Sequence, residues 1–189
     1  EDPLGGSCLE DGTSFLRLTT DSDDREQDLL RWANRLDGAA EVVASWQEKD
    51  PIDYAVHQRA GEISYLAGDY GQSAGHFRAA RDAWEAGFDD EYGRPTSTVY
   101  TDLDLIRSQD VLDLQLAAAL QADGDRKEAR TTLLDLLDRL ETSTDPETYK
   151  TAAAQFHGLS QLGTLALERD DFDEAADRLD GAVAAANVV

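Results

Sequence analysis

The feature that most constrains the fold of this sequence is a pattern of small and large residues that occurs three times around a short turn. The turns are Gly68-Asp69, Gly124-Asp125 and Asp170-Asp171, and each interrupts a stretch rich in Ala and Leu. The landmarks are Ala60-Gly61, Ser64, Tyr70, Ser73, Phe77 and Ala80 in the first unit, Leu116-Ala117, Leu120, Ala129, Leu133 and Leu136 in the second, and Leu162-Gly163, Ala166, Phe172, Ala175, Leu179 and Ala182 in the third. Such internal repetition indicates that each unit is the same supersecondary element.

The apolar residues between these turns recur at steps of three and four, which is the spacing of one face of an α-helix. No stretch shows the strict alternation of a half-buried strand. The sequence therefore predicts an all-α fold, with helices near residues 22–48, 52–67, 71–86, 102–122, 125–140, 147–169 and 172–187. Gly38 leaves open whether the first of these is one long helix or a hairpin. Residues 1–21 show no sustained period and are predicted to form an irregular N-terminal arm before a helical domain of residues 22–189.

The three aligned units resemble the tetratricopeptide repeat (TPR) over about residues 52–189. A Gly or Ala in the first helix and an Ala or Ser in the second allow two antiparallel helices to approach closely. The aromatic residue after the turn and the large residue beyond the small one fill the space behind that contact. Because one hairpin cannot bury its own apolar face, neighbouring hairpins stack. The resemblance implies a right-handed TPR-like solenoid of about three repeats plus an N-terminal helix.

The spacing of the units departs from the usual repeat of that family. Gly61, Ala117 and Gly163 are separated by 56 and 46 residues, whereas the period of the family is about 34 residues. The helices or connections are therefore expected to be longer. The pattern is closer to the irregular TPR-like repeats of bacterial and archaeal proteins.

In TPR proteins the ligand occupies a concave groove lined by the first helix of each repeat. Carried onto this sequence, the resemblance implies a groove formed by Gln58, Arg59, Glu62 and Tyr65, then Gln115, Ala118 and Gln121, then His157, Ser160, Gln161, Thr164 and Glu168. The implied function is non-catalytic binding of a protein or peptide by a scaffold or sensor domain. The alternative is a structural or oligomerisation domain that packs on its own chain or on a second copy, giving a homodimer.

The charge of the sequence narrows the choice of partner. Asp and Glu number 40 against 17 Lys and Arg, so the formal net charge is -23. A surface this acidic repels nucleic-acid phosphates and anionic lipid headgroups, which disfavours nucleic acids and membrane surfaces as partners. No apolar run approaches the roughly 20 residues that cross a bilayer. We therefore expect a neutral or basic polypeptide partner, no membrane insertion by this segment, and a cytoplasmic location.

A serine hydrolase is the minor alternative, because Gly71-Gln72-Ser73-Ala74-Gly75 matches the G-x-S-x-G nucleophile elbow. An elbow needs a β-strand leading into its turn, and the residues before Gly71 carry the helical landmarks of the repeat instead. The histidines lack the partner of an HExxH motif, and the single Cys8 excludes a cysteine-rich metal site. We therefore expect no enzyme activity, no bound metal and no cofactor.

Overall fold

The computed structural model describes residues 36–49, 51, 53–86, 108–142 and 148–188 of the chain. Every secondary-structure element within these residues is an α-helix, which confirms the predicted all-α class. The helices are α1 (Leu36–Lys49), α2 (Tyr54–Ala67), α3 (Tyr70–Glu85), α4 (Ser108–Asp123), α5 (Arg126–Glu141), α6 (Thr148–Leu167) and α7 (Phe172–Ala186).

The helix ends within the described residues lie close to the predicted ones. Gly38 lies inside α1 rather than in a turn, and α1 ends just before Pro51, since proline has no N–H group with which to continue a helix. The predicted arm of residues 1–21, residues 22–35 of the first predicted helix and residues 102–107 of the fourth lie outside the described residues.

Six of the helices form three hairpins, α2–α3, α4–α5 and α6–α7, and the same turn closes each of them. One residue of each turn has a left-handed backbone: Gly68 (φ 86°), Gly124 (φ 94°) and Asp170 (φ 59°). The N–H group of the following aspartate then donates to a carbonyl oxygen of the preceding helix, as in a Schellman motif. The equivalent bonds are Asp69 N to Ser64 O (2.9 Å), Asp125 N to Leu120 O (2.9 Å) and Asp171 N to Ala166 O (3.0 Å).

Two of the hairpins show in detail how their helices meet at a small residue. A Cβ atom added to Gly61 would lie 2.7–2.9 Å from ring atoms of Phe77, and one added to Gly163 would lie 2.8 Å from Cγ of Leu179. These distances are well inside carbon–carbon van der Waals contact, so the large side chain occupies the space that the glycine leaves. Ser73 is buried at the first of these contacts, and its hydroxyl donates to the carbonyl oxygen of Gly61 at 2.8 Å.

The three hairpins share one hydrophobic core. Each helix packs against its neighbour in chain order, and α4 also packs against α6. The largest core cluster runs from Phe77 of α3 through Leu116 of α4 and Leu133 of α5 to Leu165 of α6. Because this cluster draws apolar side chains from all three hairpins, each hairpin depends on its neighbour to cover its apolar face.

We expect Gly61→Ala to lower the free energy of unfolding by roughly 1–3 kcal/mol, because the added methyl group overlaps the buried ring of Phe77. Gly75→Ala is the matched control on α3, where a Cβ atom meets nothing within 4 Å. This control should raise the stability by up to about 1 kcal/mol, because alanine favours the helix. Urea denaturation of the two variants measures the difference.

The free energy of unfolding of Gly163→Ala should lie between those of these two variants, because Leu179 is partly exposed and has room to move away. Equal free energies of unfolding for Gly61→Ala and Gly75→Ala would contradict the close contact between α2 and α3.

Candidate functional site

The residues predicted to line a groove lie on the first helices of the hairpins, α2, α4 and α6, except Glu168, which directly follows α6. The structure joins those of α2 and α4 in one network. Nε2 of Gln58 donates to Oε1 of Gln115 at 2.9 Å, and Nε2 of Gln115 donates to Oε1 of Glu62 at 3.0 Å. Arg59 is buried and pairs with Glu62 at 3.0 Å, one turn further along α2. These polar groups bond to each other and hold the first two hairpins in register.

Similar contacts join α4 and its turn to the third hairpin. Nε2 of Gln161 lies 3.5 Å from the carbonyl oxygen of Leu114, and Nε2 of Gln121 donates to Oε1 of Glu168 at 2.7 Å. Arg126 pairs with the other carboxylate oxygen of Glu168 at 2.5 Å. The hydrogen bonds from Arg126 and then Gln121 lower the pKa of the Glu168 carboxyl. The amides predicted to meet a ligand therefore bond between hairpins.

The hydroxyl groups on α6 bond within their own helix. Ser160 donates to the carbonyl oxygen of Phe156 at 2.7 Å, and Thr164 donates to the carbonyl oxygen of Ser160 at 3.0 Å. The ring of His157 lies edge-on to the ring of Phe156, with 5.0 Å between centroids. His157, Ser160 and Thr164 share one face of α6, and the hydroxyl protons of Ser160 and Thr164 are donated within the helix.

Part of the predicted groove remains accessible, and we call it the first-helix surface: Tyr65, Glu62, Ala118 and Thr164. Tyr65 is exposed and lies edge-on to Tyr70, with 5.2 Å between ring centroids. Thr164 is exposed and Ala118 is partly buried. Glu62, Ala118 and Thr164 each directly follow the small residue of the first helix in their hairpin, so they occupy equivalent positions on α2, α4 and α6. The middle one of these positions carries only a methyl group.

A cluster of charges that was not predicted from the sequence lies far from the turn of the second hairpin. Arg139 of α5 donates to Asp110 at 2.9 Å and to Asp113 at 2.6 Å, both on α4. Arg81 of α3 lies 3.7 Å from the second oxygen of Asp113. Both carboxylates are buried. One partly exposed guanidinium group thus bridges two buried carboxylates and ties α4 to α5.

Burial raises the pKa of Asp113 above the ordinary value for aspartate, and the hydrogen bond and charge of Arg139 oppose this rise without cancelling it. A signal for this burial exists in the sequence. Val111, Leu112 and Leu114 surround the acids, and apolar residues on every side of a helix indicate a helix that is buried all round.

Ion pairs also join the second helices of successive hairpins. Arg78 of α3 pairs with Glu128 of α5 at 2.8 Å, and Arg130 of α5 pairs with Glu174 of α7 at 2.9 Å. Glu128 and Glu174 are equivalent positions, and the backbone N–H group of each donates to the aspartate that caps its helix. The hydrogen bond from Arg130 is the main cause that lowers the pKa of Glu174. Pairs this exposed add little stability individually, and only their glutamates, not their arginines, occupy equivalent positions of the hairpins.

Ser73 lies inside α3 rather than at a strand-to-helix turn. Its side chain is buried, and its hydroxyl donates to the carbonyl oxygen of Gly61. A serine nucleophile is presented at an exposed turn and hydrogen-bonded to a base. Ser73 is instead arranged as a packing residue at the contact between α2 and α3.

Two classes of site are absent from the part of the chain that the structure describes. Within it, no group of His, Cys, Asp or Glu side chains is arranged to hold a metal ion. No helix in the same residues is both long enough and apolar enough to cross a membrane.

Comparison with known proteins assigns no family to this chain. No protein-family model matches the sequence, and no curated protein matches it. The resemblance to TPR repeats therefore rests on the residues quoted above.

We expect Asp113→Asn to gain stability relative to the native protein as the pH rises. Because the pKa of Asp113 is raised in the folded protein, the stabilisation from its bound proton is complete below about pH 4. It is lost as the pH rises through the raised pKa. Asparagine has no proton to lose, so the native protein's free energy of unfolding minus that of the variant should fall between about pH 4 and pH 7. Urea denaturation across this range measures the difference.

Asp135→Asn is the control, because it removes one negative charge from an exposed site on α5. Subtracting the stability change of Asp135→Asn from that of Asp113→Asn leaves the contribution of the buried carboxylate. A difference at Asp113 that grows with pH would contradict a raised pKa.

Proposed function

We propose that this protein is a non-catalytic binding scaffold whose three hairpins form a right-handed TPR-like solenoid. Its first-helix surface holds a segment of a protein or peptide. The observation that carries the proposal is the register of α2, α4 and α6, set by the bond from Gln58 to Gln115 and the bond from Gln121 to Glu168. These contacts support a common surface that contains residues of three successive hairpins.

The internal hydrogen bonds of the predicted groove support a role as a preformed platform. Binding costs less free energy when the side chains of the receptor are already ordered. Gln58, Glu62 and Gln115 restrain one another before any ligand arrives. The ligand then packs on Tyr65 and over the small side chain of Ala118, where a larger residue would keep it away.

The charges around this surface favour a neutral or basic segment. Glu62 and Glu168 lie at its two ends, in a protein whose net charge is -23. Arg59 and Arg126 are each paired with one of these glutamates, so they are poorly placed to receive a ligand carboxylate. A Lys- or Arg-containing segment is attracted at long range, and Tyr65 offers its ring to an arginine or an aliphatic chain.

Ala118→Arg is the variant that tests the proposal. We expect it to weaken peptide binding by about tenfold or more, since a long side chain in the middle of the surface blocks the ligand and each tenfold is roughly 1.4 kcal/mol. Thr131→Arg is the matched control, because it adds the same charge at an exposed position on α5. Fluorescence anisotropy with a peptide library in Lys/Arg and Asp/Glu versions provides the measurement.

The basic versions should bind more tightly at low salt, and their affinity should fall as the salt concentration rises. Selective, salt-sensitive capture of the acidic versions would overturn the proposed chemistry of the ligand. Equal loss of binding in Ala118→Arg and Thr131→Arg would place the binding site elsewhere. A doubled mass in light scattering, abolished by Ala118→Arg, would favour a homodimer through this surface.

A further inference from the structure

The outer side of the last helix carries a continuous row of apolar residues, which we call the α7 stripe: Phe172, Ala176, Leu179, Val183 and Ala186. Steps of three and four along the helix place all five on one face. Every one of them is exposed. The exposed fractions are 65% for Phe172, 39% for Leu179 and 62% for Val183. Exposure at this level means that none of the described helices covers the stripe, apart from the contact of Leu179 with Gly163 of α6.

Three of the four residues equivalent to Leu179 and Val183 in the two earlier hairpins are buried, and the fourth, Arg81, is partly exposed. At the position of Leu179, the first hairpin has Phe77 at 2% exposure and the second has Leu133 at 0%. At the position of Val183, the second hairpin has the buried Leu137. In these hairpins the next first helix supplies the cover, because α3 packs against α4 and α5 packs against α6. The α7 stripe is thus the face on which a helix packs in the earlier hairpins.

The α7 stripe also differs in chemistry from the faces that are already covered. Those faces contain arginines that pair with acids of the next hairpin, as Arg81 does with Asp113 and Arg130 does with Glu174. All five positions of the α7 stripe are apolar. The surface therefore suits an apolar helix face, and it has no cation with which to bind an acidic one.

The charged residues beside the stripe determine which kind of helix can bind it. Asp173, Asp177 and Asp180 are exposed, and the helical period places them together along one edge of the stripe. A second copy of the chain would bring its own aspartates, and its own net charge of -23, against this edge. A partner with Lys or Arg along one side of its apolar face would instead neutralise the three carboxylates.

We propose that the α7 stripe is a docking site for an amphipathic helix of a partner polypeptide, with apolar residues at helical spacing and Lys or Arg residues along one edge. The partner helix packs on Phe172, Leu179 and Val183, as α4 packs on Phe77 in the first hairpin. This site lies on a second helix and is separate from the first-helix surface. It therefore adds a second binding function to the scaffold.

The test uses the full chain and three fluorescein-labelled peptides, each of 15 residues, the length of α7. The first peptide is amphipathic with leucines at helical spacing and lysines along one edge. The second replaces the lysines with glutamates, and the third is a scrambled version of the first. We expect the basic amphipathic peptide to bind most tightly, and its affinity to fall as salt is added.

Phe172→Gln/Val183→Gln removes two exposed apolar side chains from the stripe and should weaken binding of the basic peptide by about tenfold or more. Leu66→Gln/Val188→Gln is the matched control, because it replaces two other exposed apolar residues. Asp177→Asn/Asp180→Asn should also weaken binding, whereas Asp82→Asn/Asp135→Asn, with the same change of charge, should not. Melting curves confirm that each variant folds.

Three results would overturn this proposal. First, binding of the scrambled peptide as tightly as the amphipathic one would indicate charge attraction alone. Second, equal losses of affinity in Phe172→Gln/Val183→Gln and in Leu66→Gln/Val188→Gln would show that the peptide binds elsewhere. Third, a doubled mass in light scattering that Phe172→Gln/Val183→Gln halves would show that a second copy of the chain occupies the stripe. We expect Ala118→Arg to leave binding of the basic amphipathic peptide unchanged. A negative result at the α7 stripe can therefore be distinguished from a negative result at the first-helix surface.

Discussion

The close approach of the two helices in a hairpin is the contact on which the rest of the structure depends. The ring of Phe77 fills the space above Gly61, and Leu179 fills the space above Gly163. Phe77 also belongs to the core cluster that includes residues of α4, and Leu179 belongs to the exposed α7 stripe. One residue therefore closes a hairpin and supplies the surface for the next, which links local geometry to the growth of the stack.

Apolar contacts and polar contacts contribute differently between hairpins. Burial of apolar area is non-directional, so it favours stacking without fixing the stagger of the helices. Hydrogen bonds require partners at fixed positions, and the bond from Gln58 to Gln115 is possible in one register only. The contact of Arg139 with Asp110 and Asp113 acts similarly inside the core. Desolvation of these charges offsets much of their attraction, so we infer that their main contribution is to the uniqueness of the packing.

The helices and turns could be predicted because their signals are local. The left-handed backbone of the turn residue itself favours glycine or aspartate, as at Gly124 and Asp170. The roles of the polar residues could not be predicted in the same way. Gln115 has the same appearance on a helix face whether its partner is a ligand or the next hairpin, and only the spatial arrangement reveals that the partner is Gln58 and Glu62. The buried aspartates were missed because a carboxylate is normally solvated.

The third turn has an aspartate where the other two have a glycine, and this difference affects local unfolding. Asp170 adopts the left-handed backbone that Gly68 and Gly124 adopt elsewhere, and a side chain in this conformation costs about 1 kcal/mol more than glycine does. Among the described hairpins, α6–α7 packs against one other hairpin, whereas α4–α5 packs against two. Both effects fall on the α6–α7 hairpin, so local unfolding and amide hydrogen exchange should begin there. A molecule that binds α7 would then stabilise this hairpin and slow its local unfolding.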